Sequence, residues 1–144
     1  MIKKLLIVFV VALFTICIAY HVEAADKTPE QLVKESKALI KEVSIDDVKK
    51  MIETKESVIF LDVTDKHEFE GGHLPGAINI SRGTLEFKVA QIIPDKNARI
   101  VVYCGLDLRG PLATKTLNDL GYNNALNMAG GLKAWKAAGY PIAK

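Results

Sequence analysis

Residues 58–63 read VIFLDV, a short run that is apolar and β-branched almost without interruption. Strict alternation would mark a strand with one face in water, whereas a continuous run marks a strand covered on both faces, as in a parallel sheet. Three later stretches have the same character: 77–80 (AINI), 99–103 (RIVVY) and 125–128 (ALNM). Helical spacing separates them at 66–70, 85–92 and 111–120 and follows the last at 132–138, with Gly121 and Gly139 where left-handed C-caps belong. Strand alternating with helix predicts an α/β fold, a central parallel sheet with helices on both faces and ligands beyond the carboxyl ends of the strands. The loops after Val63, Ile80, Tyr103 and Met128 are therefore where a site is expected.

Upstream of 58, Ser44 with Asp47 opens a helix whose Ile45, Val48, Met51 and Ile52 face inward. Before it, Thr28-Pro29-Glu30-Gln31 carries an N-cap hydroxyl, a proline in the first turn and a glutamine three residues after the cap. Leu32, Val33, Leu39, Ile40 and Val43 then form one apolar stripe, and Lys34, Lys37 and Lys41 a solvated face. The reading is a helical extension, 25–43, packed on a domain of 44–144. Residues 1–24 differ in kind: Lys3 and Lys4 lead into an apolar run from Leu5 to Ala19, followed by Val22-Glu23-Ala24. That order is a secretory signal peptide, its run shorter than the roughly 18 to 20 residues that span a bilayer. An uncleaved anchor is the alternative; a lipid anchor at Cys17 is disfavoured by Ile16 before it. Cleavage after Ala24 would release a periplasmic or secreted chain with no stable membrane association.

The 144 residues suit one domain, and a formal net charge of +2 with Lys and Arg scattered among Asp and Glu carries no nucleic-acid footprint. Only three histidines occur, one of them in the leader, so no metal site or other cofactor is evident. Of the two cysteines, Cys17 falls within the leader and Cys104 alone remains, which rules out an internal disulfide. A lone thiol in an oxidising compartment is either a buried, inert residue or a reactive one.

Position favours reactivity. Cys104 ends the run RIVVYC, and a helix beginning near Pro111 leaves Gly105-Leu106-Asp107-Leu108-Arg109-Gly110 as a tight strand-to-helix loop. Backbone N–H groups in such a loop converge on one point, and the helix dipole adds partial positive charge there, which suits a thiolate or a bound anion. Arg109, five residues after the sulfur, adds a permanent charge within reach of either, or else forms a structural salt bridge to Glu68, Asp62 or another loop carboxylate. Asp107, the one acid in the loop, would repel an anionic substrate, or turn away and cap the following helix. Cysteine, four residues, then arginine at this turn has two uses, sulfur transfer and phosphate-ester hydrolysis.

Two other stretches separate these. LDVTDKHEFEGGHLPGAINI (61–80) resembles the first signature of the rhodanese family, through Asp62-Val63, Glu68-Phe69 and the run Gly72 to Asn79. GGLKAWKAAGYPI (130–142) resembles its C-terminal signature, with Gly130-Gly131, Trp135 and Gly139-Tyr140-Pro141 in place. The resemblance implies a single rhodanese-like domain and a sulfurtransferase: Cys104 as nucleophile and persulfide carrier, Arg109 as the loop arginine, and main-chain N–H groups from Gly105 through Leu106, Asp107 and Leu108 to Arg109 as the cradle of the outer sulfur. The implied partners are a small sulfane donor such as thiosulfate and a cyanide or thiol acceptor, thiol proteins among them. Related phosphatases carry a loop one residue longer, so the length here favours sulfur. The chain departs from the family at Gly105, Asp107 and Gly110, where a second arginine, a mid-loop glycine and a Ser or Thr are usual, and at Thr64, where Arg is usual. These departures keep open a second class, a rhodanese-like module that binds sulfur or a partner without turnover. His73 is expected to brace a turn, Trp135 to fill the core and Asp62 to satisfy backbone N–H groups.

The order of residues 1–24 predicts a mature N-terminus at Ala25. N-terminal sequencing of protein from the extracytoplasmic fraction checks it, and retention of Met1 there would establish an anchor instead.

Overall fold

The computed structural model describes residues 26–144, so the expected leader lies outside the described residues. The chain opens with α1 (Pro29–Leu39), where Thr28 Oγ1 accepts the N–H of Gln31 at 3.3 Å and Gln31 Oε1 accepts that of Thr28 at 2.8 Å, the expected reciprocal cap. There follow β1 (Lys41–Val43), α2 (Ile45–Glu53), β2 (Ile59–Asp62), α3 (Lys66–Glu70), β3 (Ile78–Asn79), a 3-10 turn at Arg82–Thr84 and α4 (Leu85–Ile92). The chain then runs through β4 (Ile100–Tyr103), α5 (Arg109–Asp119), β5 (Ala125–Met128) and α6 (Gly131–Ala137). The strands make one parallel sheet in the order β1-β5-β4-β2-β3.

Three of the four apolar runs, β2, β4 and β5, lie in the interior of the sheet as the sequence reading has it, whereas 77–80 gives the partly buried edge strand β3. All four residues of β4 are fully buried between β2 and β5. Because strand side chains alternate, Ile100, Val102 and Cys104 join the layer formed with α4 and α5, while Val101 and Tyr103 join that of α2 and α6. Cys104 is thereby turned toward the face on which α5 begins. Gly121 (φ +92°) and Gly139 (φ +72°) take the left-handed conformation expected of them after their helices.

Three expectations need correction. The stripe Leu32, Val33, Leu39, Ile40, Val43 is not one helical face: α1 ends at Leu39, Ile40 is extended, and residues 41–43 form a fifth strand paired with β5. This edge strand reads KEV, with two charged residues on the sheet edge as protected edges have, so it has no apolar run to betray it. The extension therefore contributes part of the sheet. The helix expected from Pro111 starts two residues earlier, at Arg109, because a proline lacking its N–H is as harmless third in a first turn as first.

Trp135 is fully buried with its indole N–H on Pro141 O at 2.8 Å, the core role expected of it. Trp135→Ala should destabilise the domain by about 3–5 kcal/mol, the usual cost of emptying an aromatic site. Equilibrium urea unfolding measures this directly.

Candidate active site

Cys104 follows β4 at 1% exposure, and its backbone direction is set by α6. The N–H groups of Leu132 and Lys133, unpaired donors of that helix's first turn, bond to the carbonyls of Cys104 at 2.8 Å and Gly105 at 2.9 Å. A trans peptide holds its C=O and N–H on opposite sides, so the N–H groups of Gly105 and Leu106 point the other way, toward the loop interior. The approach is close enough to demand glycine at 131: a Cβ there would sit 2.6 Å from Cys104 O and 2.9 Å from Asp107 N, and φ is +59°.

The loop then reverses at Asp107 and enters α5. The second N–H of that helix, Gly110, points at Cys104 Sγ at 3.3 Å. Among the described residues, the N–H groups of 105 to 109 have no protein acceptor. The sulfur thus sits at a helix N-terminus, in a loop whose other main-chain donors are unpaired. Gly110 is required in its turn, since a Cβ would lie 2.5 Å from Asn127 Oδ1. A Ser or Thr cannot stand there while Asn127 does.

Arg109 does not hold out a bare charge. Its two terminal nitrogens each lie 2.7 Å from a Glu68 oxygen, with Asp65 at 3.8 Å. The salt bridge weighed for it from sequence is therefore formed. Glu68, first through this fork and then through the Asp65 N–H, is held well below the carboxylate range, at about 2, against the opposing effect of burial. Glu68 in turn, with Cys104 and Asp65 adding their field, raises Arg109 above its ordinary value.

Neither reading of Asp107 as an anion-repelling group or a cap for α5 matches its position. Its side chain is 12% exposed and receives Lys37 Nζ at 2.5 Å, Asn127 Nδ2 at 2.9 Å and the Gly130 N–H at 3.0 Å. A neighbouring ammonium compensates its charge, and the helix start it serves is that of α6. Lys37, read from sequence as solvated, turns inward to do this.

Beside the loop opens a pocket of about 330 Å³ lined by Thr64, Glu68, Gly105, Leu106, Leu132, Lys133 and Lys136. Its Thr64 corner is fixed by Asp62, whose Oδ1 accepts the Thr64 N–H at 2.7 Å and hydroxyl at 2.5 Å, while Asn79 Nδ2 bonds the carbonyls of both residues. Asp62 is structural, as expected. Lys133 and Lys136 are exposed and form no ion pair among the described residues. The sequence reading missed them, although their spacing of three in GGLKAWKAAG sets both on one helix face away from the buried Trp135. His73 braces a turn as expected, its Nδ1 2.9 Å from Phe69 O and its ring stacked on Phe69 at 3.8 Å.

The chain belongs to the rhodanese-like domain family, whose model matches residues 44–138. Thiosulfate sulfurtransferase GlpE of Shewanella oneidensis is 30% identical over 98 residues, covering 68% of this chain and 94% of that protein. Putative sulfur carrier protein YrkF of Bacillus subtilis is 28% identical over 101 residues, which span 70% of this chain and 54% of YrkF, about half its length. Among solved structures, a Rhodopseudomonas palustris protein of unknown function, described as a possible tyrosine phosphatase, superposes with a TM-score of 0.77 at 28% identity over 84% of this chain and 98% of that one. Single-domain sulfurtransferases are thus among its relatives, and sulfur transfer is the chemistry they share.

The Glu68–Arg109 pair sets a pH dependence. A folded-state value of about 2 against 4.5 means that Glu68 stabilises the fold fully above pH ~4.5 and loses that contribution as pH falls toward 2. The melting-temperature gap between wild type and Glu68→Gln should stay constant from neutrality to about pH 5 and close by about pH 2. Thermal melts in a pH series test it.

Proposed function

We propose that the protein moves a sulfane sulfur from a donor such as thiosulfate to a thiol or cyanide acceptor through a persulfide on Cys104. The observation that carries this reading is Sγ under the Gly110 N–H, with the N–H groups of 105 to 109 free beside it. In the first step the Cys104 thiolate attacks the outer sulfur of thiosulfate, the sulfur–sulfur bond breaks and sulfite leaves with the bonding pair. The anionic outer sulfur of Cys104–S–S⁻ is then held by main-chain dipoles that need no reorganisation. In the second step an acceptor thiolate or cyanide attacks that outer sulfur, and Cys104 departs as thiolate while the acceptor becomes a persulfide or thiocyanate. Charge balances in both steps, and no oxidant or reductant is needed.

The size of the loop supports sulfur over a phosphoryl group. Four residues separate Cys104 from Arg109, and the resulting ring of donors suits one sulfur atom better than a tetrahedral phosphate. Arg109, neutralised by Glu68, keeps the loop's far end in place and contributes a local rather than a net positive field. Lys133 and Lys136 supply the uncompensated charge near the pocket that an anionic donor meets first. The order of residues 1–24 supports export, so we infer that this chemistry takes place in the periplasm or outside the cell.

Incubation with thiosulfate should add about 32 Da to the intact protein, one sulfur exchanged onto a thiolate, and cyanide should remove it as thiocyanate. Cys104→Ser should take up nothing. Equal uptake by that variant would place the chemistry elsewhere, and a loaded sulfur that neither cyanide nor thiols remove would mark a carrier without turnover.

A further inference from the structure

Asp107 is one of two non-glycine residues among those described with positive φ, at +60°, and it lies in the middle of the sulfur-carrying loop. Asp tolerates this left-handed conformation better than most residues, yet remains strained in it relative to glycine. What holds it there comes from outside the loop. Its Oδ2 faces Lys37 Nζ and the Gly130 N–H, and its Oδ1 accepts from Asn127. The same Lys37 ammonium lies 3.3 Å from Glu42 Oε1, which accepts the other N–H of Asn127 at 2.8 Å. Two carboxylates therefore converge on one amide, and among the described residues Lys37 is the only cation paired with either of them. Burial alone would lower the lysine's proton affinity; Asp107 and Glu42 outweigh it and raise it, so the ammonium stays charged throughout the neutral range.

We propose that Lys37 is a positioning residue for the active-site loop: through Asp107 it holds the left-handed turn that keeps the N–H groups of 105 to 109 gathered at Cys104. Without it, Asp107 and Glu42 face each other across the Asn127 amide with no cation to offset their repulsion, and only the bonds from Asn127 and Gly130 remain to hold Asp107. The left-handed turn is then less firmly held, since Asp without its cation is drawn toward negative φ. Helix α1 is in this way a working part of the site, reaching it from 70 residues upstream. The sulfur step rests on the function proposed above, but the state of the loop is readable on the thiol itself.

A double-mutant cycle decides the matter, with wild type, Lys37→Met, Asp107→Gly and the combined variant, and Lys37→Arg as the charge-conserving control. The readouts are the rate of Cys104 alkylation by iodoacetamide, the thiosulfate-to-cyanide rate and the melting temperature. Lys37→Met should slow alkylation and kcat about tenfold, the scale of coupling expected between contacting residues. Lys37→Arg should recover most of that loss. In the Asp107→Gly background, where glycine takes the turn unaided and no carboxylate of the loop needs a cation, Lys37→Met should change neither rate.

A wild-type alkylation rate in Lys37→Met overturns the proposal, as does an equal loss in the Asp107→Gly background, which would mark a merely structural lysine. If Lys37→Met fails to fold, the two Asp107→Gly proteins still decide: they must agree. Should wild type take up no sulfane sulfur while alkylation follows the predicted pattern, the functional reading fails and the positioning role stands.

Discussion

The site depends on two hydrogen bonds that contain none of its reactive atoms. The first-turn N–H groups of Leu132 and Lys133 hold the carbonyls of Cys104 and Gly105, and peptide planarity converts that grip into a direction for the next two N–H groups. The arrangement satisfies two helix-end donors and orients a binding loop in one stroke. It also explains the left-handed Gly131, which lies too close to Cys104 O and Asp107 N for any side chain. The second glycine of the C-terminal signature is thus a requirement of the loop before it.

The electrostatics of the cradle are dipolar more than ionic. Arg109 faces Glu68 and Asp107 faces Lys37, so the two charged residues of the loop enter it already paired. What remains near the sulfur is a set of oriented N–H groups and a helix N-terminus, whose field falls off within a turn and acts on an atom at contact distance. Such a field favours a small, localised anion, a single terminal sulfur, over a large one with charge on several oxygens. The long-range part is left to Lys133 and Lys136 on the next helix.

Most of the sheet was legible because its central strands are covered on both faces, and VIFLDV and RIVVYC can be little else. Edge strand β1 was not: a KEV segment with one neighbour needs no apolar pattern, and its pairing with residues 126–128 is a long-range fact. Cys104 and the loop after it were legible from strand end, loop and first-turn proline together, although Pro111 placed the helix two residues late. The partners of the loop charges were harder. Glu68 is one of several carboxylates, with Asp62 and other loop acids, that the sequence offers Arg109, and nothing in their spacing selects it. Lys37 was read with Lys34 and Lys41 as a wet face, since helical spacing reveals which residues share a side and not which side meets an acid 70 residues away.

The place of β1 in the sheet bears on how the molecule comes into being. Its neighbour, β5, is the last in sequence of the five described strands, so residues 41–43 wait unpaired until residue 128 has been made. Strands β2, β3 and β4 pair among themselves over shorter separations and can assemble first. Pairing of Lys41 with Leu126, 85 residues apart, is then a late event in folding, the most non-local contact of the sheet. Helix α1 docks with it, bringing Lys37 to Asp107. If Lys37 positions the loop as proposed, the equipping of the thiol is therefore tied to the making of β5: a nascent or truncated product lacking residues 125–128 has the cysteine but not the turn that equips it.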